Sequence, residues 1–151
     1  ALFWLGLLLI YLPPTLRLPL ALVPALLGAG CAVQVWFDAN ARYRMADAGE
    51  EYAQLLQHPD RFIEVPSGRR ADGDLLRCAR DIGGRIISRD HFSDYRKRFR
   101  RLIDEPARLL TGFVQDHQVL VPALGLRAPL RATVAESWSR CQPLHQRTAS
   151  A

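Results

Sequence analysis

Arg17 is the only charged side chain among the first 37 residues of the chain. A run so apolar must enter either a bilayer or a buried core. Two segments carry it, residues 2–12 and 18–37. The first is shorter than the roughly 20 residues that span a bilayer. The second is long enough, but its texture changes midway. Residues 18–27 are rich in Leu and Ala, which suits a helix. Gly28-Ala29-Gly30 then interrupts, and AVQVWF at 32–37 carries the β-branched and aromatic residues of a strand. Pro13-Pro14 separates the two segments, and Pro19 and Pro24 interrupt the second. No basic stretch precedes the first apolar run, as a secretory signal requires. The favoured reading is strand, loop, helix and strand inside an α/β core, because buried parallel strands read as continuous apolar runs. A membrane hairpin, with the domain as a membrane-tethered regulator, is the alternative.

Alternation continues along the chain. Residues 46–57 predict a helix with Tyr52, Leu55 and Leu56 on its apolar side, and 61–65 (RFIEV) a short strand. Residues 72–82 give the clearest helix. Leu75, Ala79 and Ile82 recur at helical spacing, Asp72 and Asp74 suit the dipole of its first turn, and Gly83-Gly84 ends it. RIIS at 85–88 predicts the next strand. Residues 109–114 and 119–126, either side of the polar QDHQ, predict a terminal hairpin whose second strand is limited by Pro122. Residues 131–151 show no pattern and are expected to form a mobile tail after a single domain over 1–130. The order predicts a mostly parallel central sheet covered by helices on both faces. Ligands of such sheets bind beyond the carboxyl ends of the strands.

Three acidic residues fall at that edge. Asp38 follows the strand at 32–37, Asp90 follows the strand at 85–88, and Asp72 opens the helix that feeds the latter. Asp94 lies one turn beyond Asp90. Singly, each has a plain structural use, in a turn or as a helix cap. Together their oxygens suit Mg²⁺ or Mn²⁺, ions that activate water for phosphodiester cleavage. The chain carries a formal net charge of +5, and of its 20 basic residues only Lys97 is a lysine. Arginine forks bind phosphates in pairs of hydrogen bonds, which points to a polyanionic partner. In residues 95–101 (YRKRFRR) cations alternate with rings, a pattern that serves phosphates and stacked bases, or equally a solvated helix face. Cys31, Cys78 and Cys141 are far apart and odd in number, which argues against a disulfide framework or zinc site and for a reducing, cytoplasmic setting.

The motifs VWFDAN (35–40), VPSGRRADGDLL (65–76) and GGRIISRDHFSDY (83–95) stand in this order. In this the chain resembles the NYN domains of Regnase-type ribonucleases, members of the PIN-like superfamily. The resemblance covers most of the chain, to about residue 126. It implies a three-layer PIN-like (Rossmann-like) α/β fold with a C-terminal hairpin, and a metal-dependent endoribonuclease that cleaves single-stranded RNA. Asp72, Asp90 and Asp94 match its catalytic carboxylates, and Asp38, Asp72 and Asp90 would hold Mg²⁺ or Mn²⁺. Asn40, Ser67, Arg69, Arg70 and Arg89 lie within these motifs, and Arg96, Arg98 and Arg100 follow them. All eight are expected to contact RNA. A homodimer is compatible with this reading. One motif departs from the family. The first strand of the family ends in D-G-x-N, and the best match here, Leu5-Gly6-Leu7-Leu8, puts leucine where the leading Asp and the Asn belong. A leucine cannot ligate a cation, so a non-cleaving relative that binds RNA or protein is the alternative within the family. Arg89 also replaces the usual Asn before Asp90.

Overall fold

LLLIY at Leu7–Tyr11 forms strand β1 and takes the centre of a parallel sheet, the place with the least water. The computed structural model describes residues 7–11, 15–45, 49–68, 70–89 and 91–141, with the backbone alone at 7–11 and 44. Strands β2 (Ala32–Phe37), β3 (Phe62–Glu64), β4 (Arg85–Ser88) and β5 (Leu109–Thr111) complete the sheet in the order β3-β2-β1-β4-β5. All four pairings are parallel. A second, antiparallel sheet contains β6 (Phe113–Gln115), β7 (Gln118–Val121) and β8 (Leu126–Pro129) in sequence order. The fold is therefore mixed α/β with two small sheets.

Alternation along each strand divides the core in two. Val33, Val35, Phe37, Ile87 and Leu110 join one apolar cluster with helix α1 (Arg17–Gly28). Trp36, Ile86 and Leu109 face the other cluster, which holds Leu75, Leu76 and Ala79 of helix α4 (Ala71–Ile82). Between β2 and α4 lie the short helices α2 (Ala41–Arg44) and α3 (Gly49–Leu55). Apolar packing thus covers both faces of the sheet. Helix α1 buries Leu18, Leu20, Leu22, Val23 and Leu26 and lies against β2, β7 and β8. It tolerates the prolines that seemed to interrupt it. Pro19 sits in the first turn, where N–H groups have no helical partner, while Pro24 forgoes one helical bond inside a well-buried segment. Helix α4 ends on Gly83 at φ 70°, the left-handed conformation that glycine adopts freely. The Arg108 guanidinium donates to the Ala79 and Gly84 carbonyls there, at 2.8 and 3.1 Å. No described helix is long and apolar enough to cross a membrane.

Two expectations change at the C-terminal end. The segment 109–114 is not one strand: Gly112 separates β5, in the parallel sheet, from β6, in the antiparallel one. Asp116 and His117 make the tight β6–β7 turn with φ of 53° and 58°, values that suit a two-residue hairpin loop. After Pro122 the chain makes a 3-10 turn and returns as β8, so the expected hairpin has three strands. The expected mobile tail also contains structure. Residues 134–141 form a helix, α6, whose Val134, Ser137 and Cys141 are buried. The Thr133 hydroxyl caps it by accepting from the Glu136 N–H at 3.1 Å. The T-x-x-E pattern that announces such a start was present in the sequence. Residues 142–151 lie outside the described residues.

Burial pushes the Cys141 thiol up to about 12 from its ordinary 9.0, so in the native protein it is a buried, protonated thiol. At neutral pH a thiol reagent should modify the partly exposed Cys31 and Cys78 well before Cys141. Equal rates, read by mass spectrometry, would mean that α6 is not docked. Because this pKa is raised on folding, its contribution to stability should be lost as pH rises from about 9 to 12. Leu22, fully buried on α1, should cost about 2–5 kcal/mol when cut to alanine, measured by urea unfolding.

Candidate nucleic-acid interface

The carboxyl ends of β2, β3 and β4 share one edge of the parallel sheet with the N-terminus of α4. Helix α4 begins without a cap of its own. Arg70 occupies the N-cap position with extended backbone and no capping side chain. Asp38, just past β2, provides the missing acceptor: its Oδ1 accepts the Ala71 N–H at 2.9 Å. The carboxylate also faces the positive end of the helix dipole. Asp38 therefore ties a strand end to a helix start 33 positions later.

Asp72, the second residue of α4, is buried to 7% exposure, an unusual state for a carboxylate. Its partner is the Arg70 guanidinium at 3.5 Å, which remains largely in solvent. That same guanidinium lies over the Tyr95 ring, 5.7 Å from its centre. The Tyr95 ring also approaches Gly73, where an added Cβ would lie 3.6 Å from it. Asp74 pairs with Arg77 one turn on.

Beyond β4 the backbone turns sharply. Ser88 is buried, and Phe92 holds φ 54°, a left-handed conformation that costs a bulky residue about 1–2 kcal/mol. Its burial in the α4-side core offsets that cost. The turn delivers a 3-10 helix at Ser93–Tyr95, then helix α5 (Arg100–Ile103). Asp94 is exposed and lines an open groove with Arg96, Lys97 and Arg100. Arg96 and Arg100 converge on Asp104 at 3.1 and 3.5 Å. Exposed pairs of this kind contribute about 0–1 kcal/mol, so a phosphate can compete for both guanidiniums. Arg80 and Arg98 lie over the buried Phe99 ring, 5.4 and 5.5 Å from its centre. The run at 95–101 has the arrangement of a solvated face over a packed core. Its rings are anchored inward, and its cations stay at the surface.

A second polar cluster at this edge was not anticipated. Glu64, the last residue of β3, accepts two bonds from Arg42 at 2.9 and 3.0 Å and one from the Tyr52 hydroxyl at 2.5 Å. Burial and the bond to Glu64 push the Tyr52 phenol well above its usual pKa. The Phe37 ring meets Tyr52 edge-on at 5.1 Å. Three separate segments contribute, so no local motif marks them. Next to Arg42, Tyr43 is 81% exposed.

The expected site is therefore partly assembled. Asp38 and Asp72 meet at the start of α4, with Arg70 beside them. Asn40, Ser67 and Arg89 are exposed on the loops after β2, β3 and β4. Arg69 and Asp90 lie outside the described residues, as do Leu5 and Gly6. The placement of the first-strand motif at residues 5–8 needs correction. Leu8 pairs with Val33 and Arg85, at the amino ends of β2 and β4, while Tyr11 pairs with Ser88 at the carboxyl end. A ligand from β1 would have to come from beyond Tyr11, and no Asp or Glu precedes Asp38 anywhere in the chain. Among the described residues no three His, Cys, Asp or Glu side chains gather closely enough to hold a metal ion. With Asp38 engaged at Ala71 and Asp72 beside Arg70, the described donors do not fit a three-carboxylate Mg²⁺ or Mn²⁺ centre.

Basic and aromatic groups, an engaged carboxylate and a helix N-terminus thus meet at one edge of an α/β sheet. No protein-family model matches the chain, and no curated protein matches it.

Asp38→Ala should lower stability by about 1 kcal/mol through loss of the cap. Asp38→Asn, which keeps an acceptor oxygen, should lose much less. If urea unfolding shows the two variants to be equal, the bond to Ala71 is not what Asp38 contributes.

Proposed function

We propose that the chain is a PIN-like domain, related in design to the NYN ribonucleases, that binds single-stranded RNA along the carboxyl edge of its parallel sheet. The observation that carries this reading is the Arg70 guanidinium stacked on Tyr95 at the start of α4, beside the basic groove of Asp94, Arg96, Lys97 and Arg100. A single strand offers phosphates to such guanidiniums and unpaired bases to their planar faces. The parallel order β3-β2-β1-β4-β5, with apolar packing on both faces, agrees with the three-layer PIN-like plan. The chemistry of the edge favours holding RNA over cutting it. Strand β1 brings no carboxylate, Asp38 serves as a helix cap, and Arg70 stands next to Asp72 where a cation would have to bind. Asn40, Ser67 and Arg89 extend the contact along the three loops. Arg98, with its guanidinium over Phe99, adds a further phosphate contact.

The test is filter binding and gel analysis of a labelled single-stranded RNA with Mn²⁺ present. RNA should bind and remain intact. Affinity should drop as salt rises, and by roughly tenfold or more in Arg70→Gln/Arg96→Gln. Cleavage that disappears in both Asp72→Asn and Asp90→Asn would instead establish a metal-dependent nuclease. Absence of RNA binding at low salt would remove both readings.

A further inference from the structure

Away from that edge, three arginines line one small groove. Helix α1 meets β8 and α6 there, and the walls are apolar, with Leu20 and Pro24 on one side and Pro129 on the other. Into this wall Arg127, Arg131 and Arg140 contribute from β8, the loop after it and α6. Arg127 and Arg140 are exposed and Arg131 is half-buried. Six other arginines are held differently. Arg42, Arg70, Arg77, Arg80, Arg96 and Arg100 all have carboxylate partners.

None of the three groove guanidiniums forms an ion pair or hydrogen bond among the described residues. Glu136 precedes Arg140 by one helical turn, the favourable order for a pair, yet no bond joins them. Three cationic side chains on the wall of one groove give it a positive local potential, which favours an anion.

We infer that this groove binds a small organic phosphate monoester, with its phosphate on the guanidiniums of Arg127, Arg131 and Arg140 and its carbon portion against Leu20, Pro24 and Pro129. Guanidinium forks match the paired oxygens of a phosphate. The mostly apolar wall asks for a ligand with carbon attached, which inorganic phosphate lacks. Size limits that ligand. The groove measures about 160 Å³, below the roughly 300 Å³ at which pockets take drug-sized molecules. It therefore fits a phosphate with a few carbons and not a nucleotide. The groove and its ligand are independent of the RNA reading.

The experiment is calorimetric titration of the whole chain at low salt with glycerol 3-phosphate, set beside inorganic phosphate and glycerol. The phosphate monoester should bind saturably, inorganic phosphate at least fivefold more weakly, and glycerol not at all. Arg131→Gln/Arg140→Gln should weaken the monoester at least tenfold. Circular dichroism should show that variant folded, and its affinity for single-stranded RNA should be unchanged. Undiminished monoester binding by the folded variant would overturn the proposal, as would no binding by the native chain. Binding confined to phosphatidic acid vesicles would assign the groove to a lipid surface instead. Loss of RNA affinity in the variant would assign it to the RNA path. Should the variant not fold, Arg127→Gln alone is titrated, with a threefold or greater loss expected and an unchanged affinity counted against the site.

Discussion

Everything in this molecule depends on β1 finding its place between β2 and β4. The pairing is parallel on both sides, so each neighbour must return over the sheet through a helix. Helix α1 makes the return to β2 on one face, and α4 makes the return to β4 on the other. In open α/β sheets, ligands bind beyond the carboxyl ends of strands at such a divergence. Leu7–Tyr11 carries no charge, as suits a strand with a parallel neighbour on each side.

Electrostatics at that edge serves structure first. Asp38, just past β2, holds the Ala71 N–H with a carboxylate oxygen and locks β2 to α4. Arg70, left without a cap to make, reaches over Asp72 and lies on Tyr95. The same pattern recurs at Glu64, which gathers Arg42 and Tyr52 and braces the loop after β2. Asp38, Asp72 and Glu64 each have a nearby donor, which reduces their attraction for a free cation.

Much of the fold was legible because its signals are local. The β-branched run at 32–37, the apolar stripe of Leu75 and Ala79 with Gly83-Gly84 after it, and the short RIIS strand all report their conformation through neighbouring residues. They appear as β2, α4 and β4 within a residue of expectation. Less legible were α2, α5 and α6, each too short to display a periodicity. The split of 109–114 was hidden as well, because a single Gly112 moves the chain from one sheet to the other. Among site residues, the sequence pointed to the edge where Asp38 and Asp72 lie but not to their partners.

By itself the sequence determined the alternation of strands and helices and the absence of any carboxylate between β1 and Asp38. These follow from periodicity, turn chemistry and composition, which act over a few residues. Tertiary structure alone decided the strand order, the end of β1 that faces the acidic edge and the use of Asp38 as a cap for a helix 33 positions away. It also decided that Glu64 meets Arg42 and Tyr52, and that Arg127, Arg131 and Arg140 meet in one groove. The physical reason is the same throughout. Those contacts join residues distant in the chain, and only the packing of helices on both faces of the sheet brings them within hydrogen-bond or Coulomb range.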